Sequence, residues 1–164
     1  MHRSMIWLLV FILVPAAAMA QEKPPRELPG GQGYAFTGFG AANAEDMILH
    51  FGGGGEAYLY RGLGIGAEIG YLGPAGYLGE GIGVFSANGL YNFSPERRRR
   101  VQPFVTGGYS LAFRDGTANC VNFGGGIHYW FSDKLGLRLE FRDHLNPSYA
   151  DEHFWQGRVG IEFR

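Results

Sequence analysis

The sequence predicts an all-β chain, an eight-stranded antiparallel up-and-down β-barrel that crosses a membrane. Three observations carry this expectation. Apolar and polar residues alternate with period two in segment after segment, and successive strand side chains point to opposite faces. In the clearest segments one face is apolar and the other holds Glu and Arg. The chain also combines 28 glycines with 15% aromatic residues, without the triplet period of collagen and with too many aromatics for simple disorder.

The first residues stand apart from that pattern. His2 and Arg3 form a basic start, Met5 to Val14 is an uncharged apolar run, and Ala18-Met19-Ala20 has the small-x-small form of a cleavage site. The apolar run is too short to span a bilayer as a helix, which needs about 20 residues. Residues 1–20 therefore read as a signal peptide, and 21–32, rich in Pro and Gly, as a flexible leader. Without Arg3 the chain has 13 basic and 15 acidic residues, a net charge of −2 that gives no nucleic-acid footprint. The lone Cys120 excludes an internal disulfide. Stability must come from elsewhere, and a closed barrel supplies it by pairing every strand edge.

Strand one is expected over Tyr34 to Ala41, followed by a polar connection, 42–46. Strand two, Met47 to Tyr60, sets Leu49, Phe51, Ala57 and Leu59 against His50, Glu56 and Tyr58. Arg61-Gly62 forms a two-residue turn into strand three, where Leu63, Ile65, Ala67, Ile69 and Tyr71 alternate with Gly64, Gly66, Glu68 and Gly70. The Gly/Pro-rich stretch 73–80 ends it. Strand four covers Gly81 to Phe93, with Phe85, Ala87, Gly89, Tyr91 and Phe93 outward; a charged connection, 94–100, follows. Strand five is Val101 to Phe113, with Pro103 near its start, where a missing ladder donor is tolerated. After a loop at 114–119, strand six runs from Cys120 to Phe131. Ser132-Asp133-Lys134 turns the chain into strand seven, which sets Leu135, Leu137, Leu139 and Phe141 against Gly136, Arg138, Glu140 and Arg142. Loop 143–152 leads to strand eight, in which Trp155, Gly157, Val159, Ile161 and Phe163 alternate with Gln156, Arg158, Gly160 and Glu162. Eight strands of roughly ten residues match the smallest transmembrane barrels.

Energy magnitudes decide which face meets lipid. An Arg at mid-bilayer on the lipid face costs roughly 2–4 kcal/mol, so Arg138 and Arg142 belong in the lumen and the leucines of strand seven outside. A slip of one residue would invert every side chain, so the register is fixed. The lumen is then expected to hold a charge network of Glu56, Glu68, Arg138, Glu140, Arg142, Arg158 and Glu162, joined by His50, His128 and Gln156. Enclosed charges must be paired. An eight-stranded interior is only wide enough for side chains, which predicts a plugged core rather than a pore. Tyr60, Tyr71, Tyr91, Phe93, Trp130 and Phe131 lie near strand ends, where outward-facing members would form an interfacial girdle.

On this alternation, the lumenal Glu/Arg set and the aromatic Phe163 next to the last residue, the chain resembles the small eight-stranded outer-membrane β-barrel superfamily, including the transmembrane domains of outer-membrane proteins A and X. The resemblance covers residues 33–164, the outer-membrane barrel domain, with no peptidoglycan-binding domain expected after it. It implies an outer-membrane location, a monomer with outer-membrane lipids as solvent, and assembly by periplasmic chaperones and the barrel-assembly machinery, with Phe163 as assembly signal; Arg164 departs from the pattern, in which the aromatic is commonly last. The leader and the connections at 61–62, 94–100 and 132–134 would lie on the periplasmic side, and those at 42–46, 73–80, 114–119 and 143–152 outside.

Other constellations carry less chemistry. His128 and Ser132 invite comparison with barrel-borne lipid A deacylases, but position 130 is Trp, so the compact His-x-Ser pattern is missing, and the two residues stand about 13 Å apart along a strand. His144 and His153 with Asp143, Asp151 and Glu152 have no metal-ligand spacing. Gly62-x-Gly64-x-x-Ala67 lacks the helix a dinucleotide fingerprint needs. The run Arg97 to Arg100 reads as a solvated turn beside lipid phosphates. No catalytic residue, cofactor or metal is expected. The reading is a structural or surface-interaction protein; the alternatives are a lipid A acyl hydrolase on the same barrel, or a soluble lipocalin-like carrier with the opposite lining.

Overall fold

Arg61 and Gly62 make the tightest corner of the molecule. Both have positive φ, 45° and 88°, the pair that a primed two-residue hairpin requires and that glycine adopts without strain. In the computed structural model, which describes residues 30–42, 46–76, 78–96, 98–146 and 153–164, this hairpin joins the second and third of eight strands. They are β1 (Gln32–Ala42), β2 (Asp46–Tyr60), β3 (Leu63–Pro74), β4 (Ile82–Asn92), β5 (Val101–Phe113), β6 (Thr117–Trp130), β7 (Leu135–Leu145) and β8 (His153–Phe163). A 3-10 turn, Leu78–Glu80, lies between β3 and β4. Every neighbouring pair is antiparallel, and β8 pairs with β1, so the barrel is closed.

The register fixes its shape. Gln32 faces Glu56, and the row continues through Gly66, Asn88, Gly108, Asn122, His144 and Phe154 to Ala42, ten residues further along β1 than its start. That stagger tilts the strands by about 40° and leaves an interior only as wide as its side chains. The lower end holds Gln32, Phe163, the turns 61–62 and 131–134, and residues 93–96 and 98–100. The upper end holds Ala42, Pro74, Ile82, Phe113, Thr117 and Leu145, the strand ends on that side.

Facing follows alternation. Phe141 is 54% exposed, whereas Arg142 beside it is 0% exposed. Leu63, Ile65 and Ile69, Phe85 and Tyr91, Val121 and Phe123, and Val159, Ile161 and Phe163 are all exposed on the outer wall. Charges inside and hydrocarbon outside exclude the lipocalin-like lining. Among the girdle candidates Tyr60, Tyr91, Phe93 and Phe131 are exposed, but Trp130 is buried, because it shares the inner face with His128.

Several strands are longer than their alternation suggests. β1 begins at Gln32 rather than after it; β3 runs to Pro74, opposite Ile48; β6 starts at Thr117, opposite Phe113; and β7 continues to Leu145, opposite Val121 and His153. The loops expected at 73–80, 114–119 and 143–152 shrink accordingly. Ladder bonds are made by backbone groups, so polar residues at a strand end continue a ladder whenever the partner strand is there to receive it. The signal peptide, nearly all of the leader, Arg97, the side chain of His153 and residues 147–152 lie outside the described residues.

Candidate functional site

β7 builds the centre of the lumen. Arg138, Glu140 and Arg142 lie on one face at i, i+2 and i+4, so Glu140 stands between two guanidinium groups. Arg138 Nε donates to Glu140 Oε2 at 2.9 Å and Arg142 Nε to Glu140 Oε1 at 2.6 Å; Arg142 Nη2 also pairs with Glu140. The same arginines then reach across the barrel. Arg138 Nη1 meets Glu56 Oε1 at 2.7 Å and Arg142 Nη1 meets Glu68 Oε1 at 2.7 Å. From β8, Arg158 grips Glu68 with two nitrogens, at 3.1 and 3.0 Å, the bidentate geometry in which Arg–carboxylate pairs are strongest. Tyr34 donates to Glu68 Oε2 at 2.8 Å, and Gln32 Nε2 to Glu56 Oε2 at 2.9 Å.

Six of the seven expected charges thus form one connected set, three carboxylates against three guanidinium groups. Glu162 is the exception. It sits lower, with Oε2 2.7 Å from His128 Nδ1, both side chains fully buried. At least one proton lies between them, so the fourth acid has its own partner and the lumen needs no fourth arginine.

Aromatic rings complete the packing, and the sequence reading placed none of them inside. Arg138 lies between the rings of Tyr34 and Phe104, 4.5 and 4.3 Å from their centroids, and Arg158 lies 3.5 Å from that of Phe36. Phe104 also stacks on His128 at 4.3 Å, and Phe36 meets His50 edge-on at 4.9 Å. A guanidinium over a ring face is attracted by the ring's quadrupole and shielded from water by it. Polar Gln102, Thr106 and Ser110 share the inner face of β5 with Phe104 and are the signal that could have found it. Tyr34 and Phe36 had no such marker, because Tyr34 to Ala41 contains no charge.

Gly38 makes room for this arrangement. A Cβ there would stand 2.9 Å from Arg158 Cγ and 2.9 Å from Gln156 Oε1, so any larger residue would push Arg158 and Gln156 from their places. Above and below the network the pairing loosens. His50 Nδ1 is 2.9 Å from Gln156 Oε1, but among the described residues His50 Nε2, Gln156 Nε2, Asn122 Oδ1 and both ring nitrogens of His144 towards the upper end find no hydrogen-bond partner, nor do Gln32 Oε1, His128 Nε2 and Glu162 Oε1 towards the lower end, nor single atoms of Arg138 and Arg158 in the network. Buried groups of this kind are satisfied by water.

The candidate chemistry outside the network is not assembled. His128 is held by Glu162 and Phe104, whereas Ser132 is exposed in the lower turn, where its Oγ accepts the N–H groups of Lys134 and Leu135. His144 faces inward and Asp143 occupies the opposite face of β7. Among the described residues no group of three His, Cys, Asp or Glu side chains is placed to hold a metal. Gly62, Gly64 and Ala67 fall on the hairpin turn and β3, and among the described residues only the three-residue 3-10 turn Leu78–Glu80 follows before β4.

A closed wall with hydrocarbon outside and paired charges inside defines an integral transmembrane β-barrel. Residues 6–163 match the profile of the outer membrane protein beta-barrel domain, and the chain belongs to that family. It is an outer-membrane protein. Among solved structures it is similar to the N-terminal β-barrel domain of Pseudomonas aeruginosa OprF (15% identity, 81% of this chain and 95% of that one, TM-score 0.64). It is similar also to Neisserial surface protein A, NspA (10% identity, 82% and 96%, TM-score 0.61), and to Ail, the attachment invasion locus protein of Yersinia pestis (8% identity, 82% and 97%, TM-score 0.54). At these identities the likeness is one of fold. No curated protein matches the chain.

Proposed function

We propose that the chain is a non-enzymatic, monomeric barrel with a structural or surface-interaction role, and that its lumen is a plug rather than a channel. The observation that carries this reading is the connected set of three Glu and three Arg, in which Arg138, Arg142 and Arg158 reach Glu56 and Glu68 across the interior and Arg138 and Arg158 pack against Tyr34, Phe36 and Phe104. Ions cannot pass without separating pairs that share buried hydrogen bonds, and breaking one such pair costs about 3–5 kcal/mol. In this reading the lower end faces the periplasm, periplasmic chaperones and the barrel-assembly machinery deliver the chain, and Phe163 is part of the signal the machinery reads. The upper connections are then the part presented outside the cell.

The test is conductance in planar bilayers. The wild-type barrel is expected to insert without current steps, and a Glu68→Ala/Arg142→Ala variant, with the central pairs removed, to show small steps. Sustained, ohmic steps from the wild type would reject the plug. A lipid A acyl chain released by the wild type and not by His128→Ala would reject the non-enzymatic reading.

A further inference from the structure

The lower rim is built unlike the rest of the surface. Glu96, in the connection from β4 to β5, is pinned at the barrel mouth by Gln102, which is 2% exposed. Its Nε2 donates to the Glu96 carbonyl at 2.8 Å, while its Oε1 accepts Trp130 Nε1 at 3.1 Å and Asn92 Nδ2 at 3.3 Å. Backbone bonds from Trp130 N to Arg100 O at 2.7 Å and from Phe93 N to Pro103 O at 2.9 Å hold the ends of the connection. Glu96 and both ends of the connection are therefore fixed, and Arg98, Arg99 and Arg100 are exposed. Lys134, on the neighbouring turn, is also exposed. Arg61 and Arg164 stand at the same rim, against the rings of Tyr60 and Trp130. Among the described residues the acids exposed at this rim are Glu96 and Asp133, and Arg99 meets Glu96 only at 3.4 Å with both side chains largely exposed. Among the described residues the opposite rim has the reverse balance, with Glu80, Asp115 and Asp143 against Arg114.

Directly above the arginines, on the outer wall, two aromatic pairs flank the start of β5. Tyr91 meets Phe93 edge-on at 5.0 Å, and Tyr129 meets Phe131 edge-on at 5.3 Å. Between them the exposed Val101, Pro103 and Val105 form an apolar strip. Guanidinium groups at the rim, with a hydrocarbon strip rising directly from Val101 and aromatic rings beside it on both neighbouring strands, match a phospholipid whose phosphate sits at the rim and whose acyl chain lies along the wall.

We propose that this rim is a binding site for an anionic phospholipid, with Arg98, Arg99, Arg100 and Lys134 on the headgroup phosphate and an acyl chain along Val101–Val105. Guanidinium forks suit phosphate oxygens. The apolar strip favours a lipid over free phosphate or an acidic protein, neither of which would use it. The proposal is independent of whether the lumen conducts.

The experiment reconstitutes the full barrel in phosphatidylcholine vesicles with or without phosphatidylglycerol, extracts it into neutral detergent and counts retained lipids by native mass spectrometry. An arginine at headgroup level favours an anionic lipid by roughly fivefold before screening, and salt weakens the effect. The wild type is expected to retain phosphatidylglycerol over phosphatidylcholine at least ~10-fold, with added salt lowering the ratio. Arg98→Gln/Arg99→Gln/Arg100→Gln should bring the ratio near one while keeping the heat-shifted band of the folded barrel, and Arg100→Gln/Lys134→Gln should lower it partway. Arg114→Gln, at the other rim, should leave it unchanged. Equal retention of the two lipids by the wild type overturns the proposal. So does an undiminished ratio in the triple variant, an equal loss in Arg114→Gln, or preference for soluble polyglutamate with none for phosphatidylglycerol.

Discussion

Replacing Glu68 with glutamine measures whether the lumen is dry. Glu68 accepts from Arg142, twice from Arg158, and from Tyr34, all within 2.7–3.1 Å. Glutamine keeps the shape and one carbonyl acceptor, but it removes the charge and turns an amide N–H₂ toward groups that also donate. The connected network is left with three arginines and two carboxylates. In bulk water each 3 Å contact is worth only about 1.4 kcal/mol before entropy and screening, and exposed pairs net about 0–1 kcal/mol. In a dry lumen the uncompensated charge costs about 3–5 kcal/mol. Urea unfolding in lipid vesicles, followed by the fluorescence of Trp130 and Trp155 and by gel mobility of unboiled samples, separates the two cases. With a slope of about 2 kcal/mol per molar, the midpoint should fall by about 1.5–2.5 M. Glu68→Gln/Arg158→Gln, which restores parity at two charges of each sign, should recover at least ~1 kcal/mol of that loss. A fall below about 0.5 M in the single variant would mean that water reaches the network, and the argument for a plug would fail with it.

Three other outcomes are expected. Leu139→Arg places a charge on the lipid face between Ile127 and Val159 and should cost about 2–4 kcal/mol in the same assay. Gly38→Leu drives a side chain into Arg158 and Gln156 and should destabilise by about 1–3 kcal/mol, while Gly157→Ala, on the outer wall with nothing within 4 Å of the added Cβ, should stay within about 0.5 kcal/mol; equal effects would put the lumenal packing in doubt. Phe163→Ala should slow accumulation of the folded band in cells more than it slows folding of the purified chain into vesicles, since assembly recognition is absent in the second setting.

The architecture was legible because several strands carry their own compass. In β7 the leucines and charges alternate so strictly that either face assignment fixes the whole strand, and membrane energetics choose between them. β1 had no compass: Tyr34, Phe36 and Phe39 are all aromatic, and only pairing with β2 and β8 turns the first two inward and the third out. The partners within the network were hidden for a different reason. Arg138 and Glu56 are 82 residues apart and Arg142 and Glu68 are 74 apart, and which acid meets which arginine depends on the stagger accumulated around eight registers. No single strand encodes that sum. The strand ends were hidden because polar composition marks solvent contact, not the end of a backbone ladder.

The inward aromatics bear on more than packing. A carboxylate–guanidinium set held only by hydrogen bonds would exchange with water from either mouth. Tyr34 and Phe104 both lie against Arg138, Phe36 lies against Arg158, and Phe104 also stacks on His128, which is itself tied to Glu162. These rings displace water where the charges meet and so lower the local dielectric. A low dielectric strengthens each ion pair and raises the penalty for leaving one charge alone. Substituting an aromatic should therefore act on the network without touching a charge: Phe36→Ala, which removes the ring over Arg158, should shrink the Glu68→Gln effect itself. A Glu68→Gln effect of equal size in both backgrounds would show that the rings only fill space.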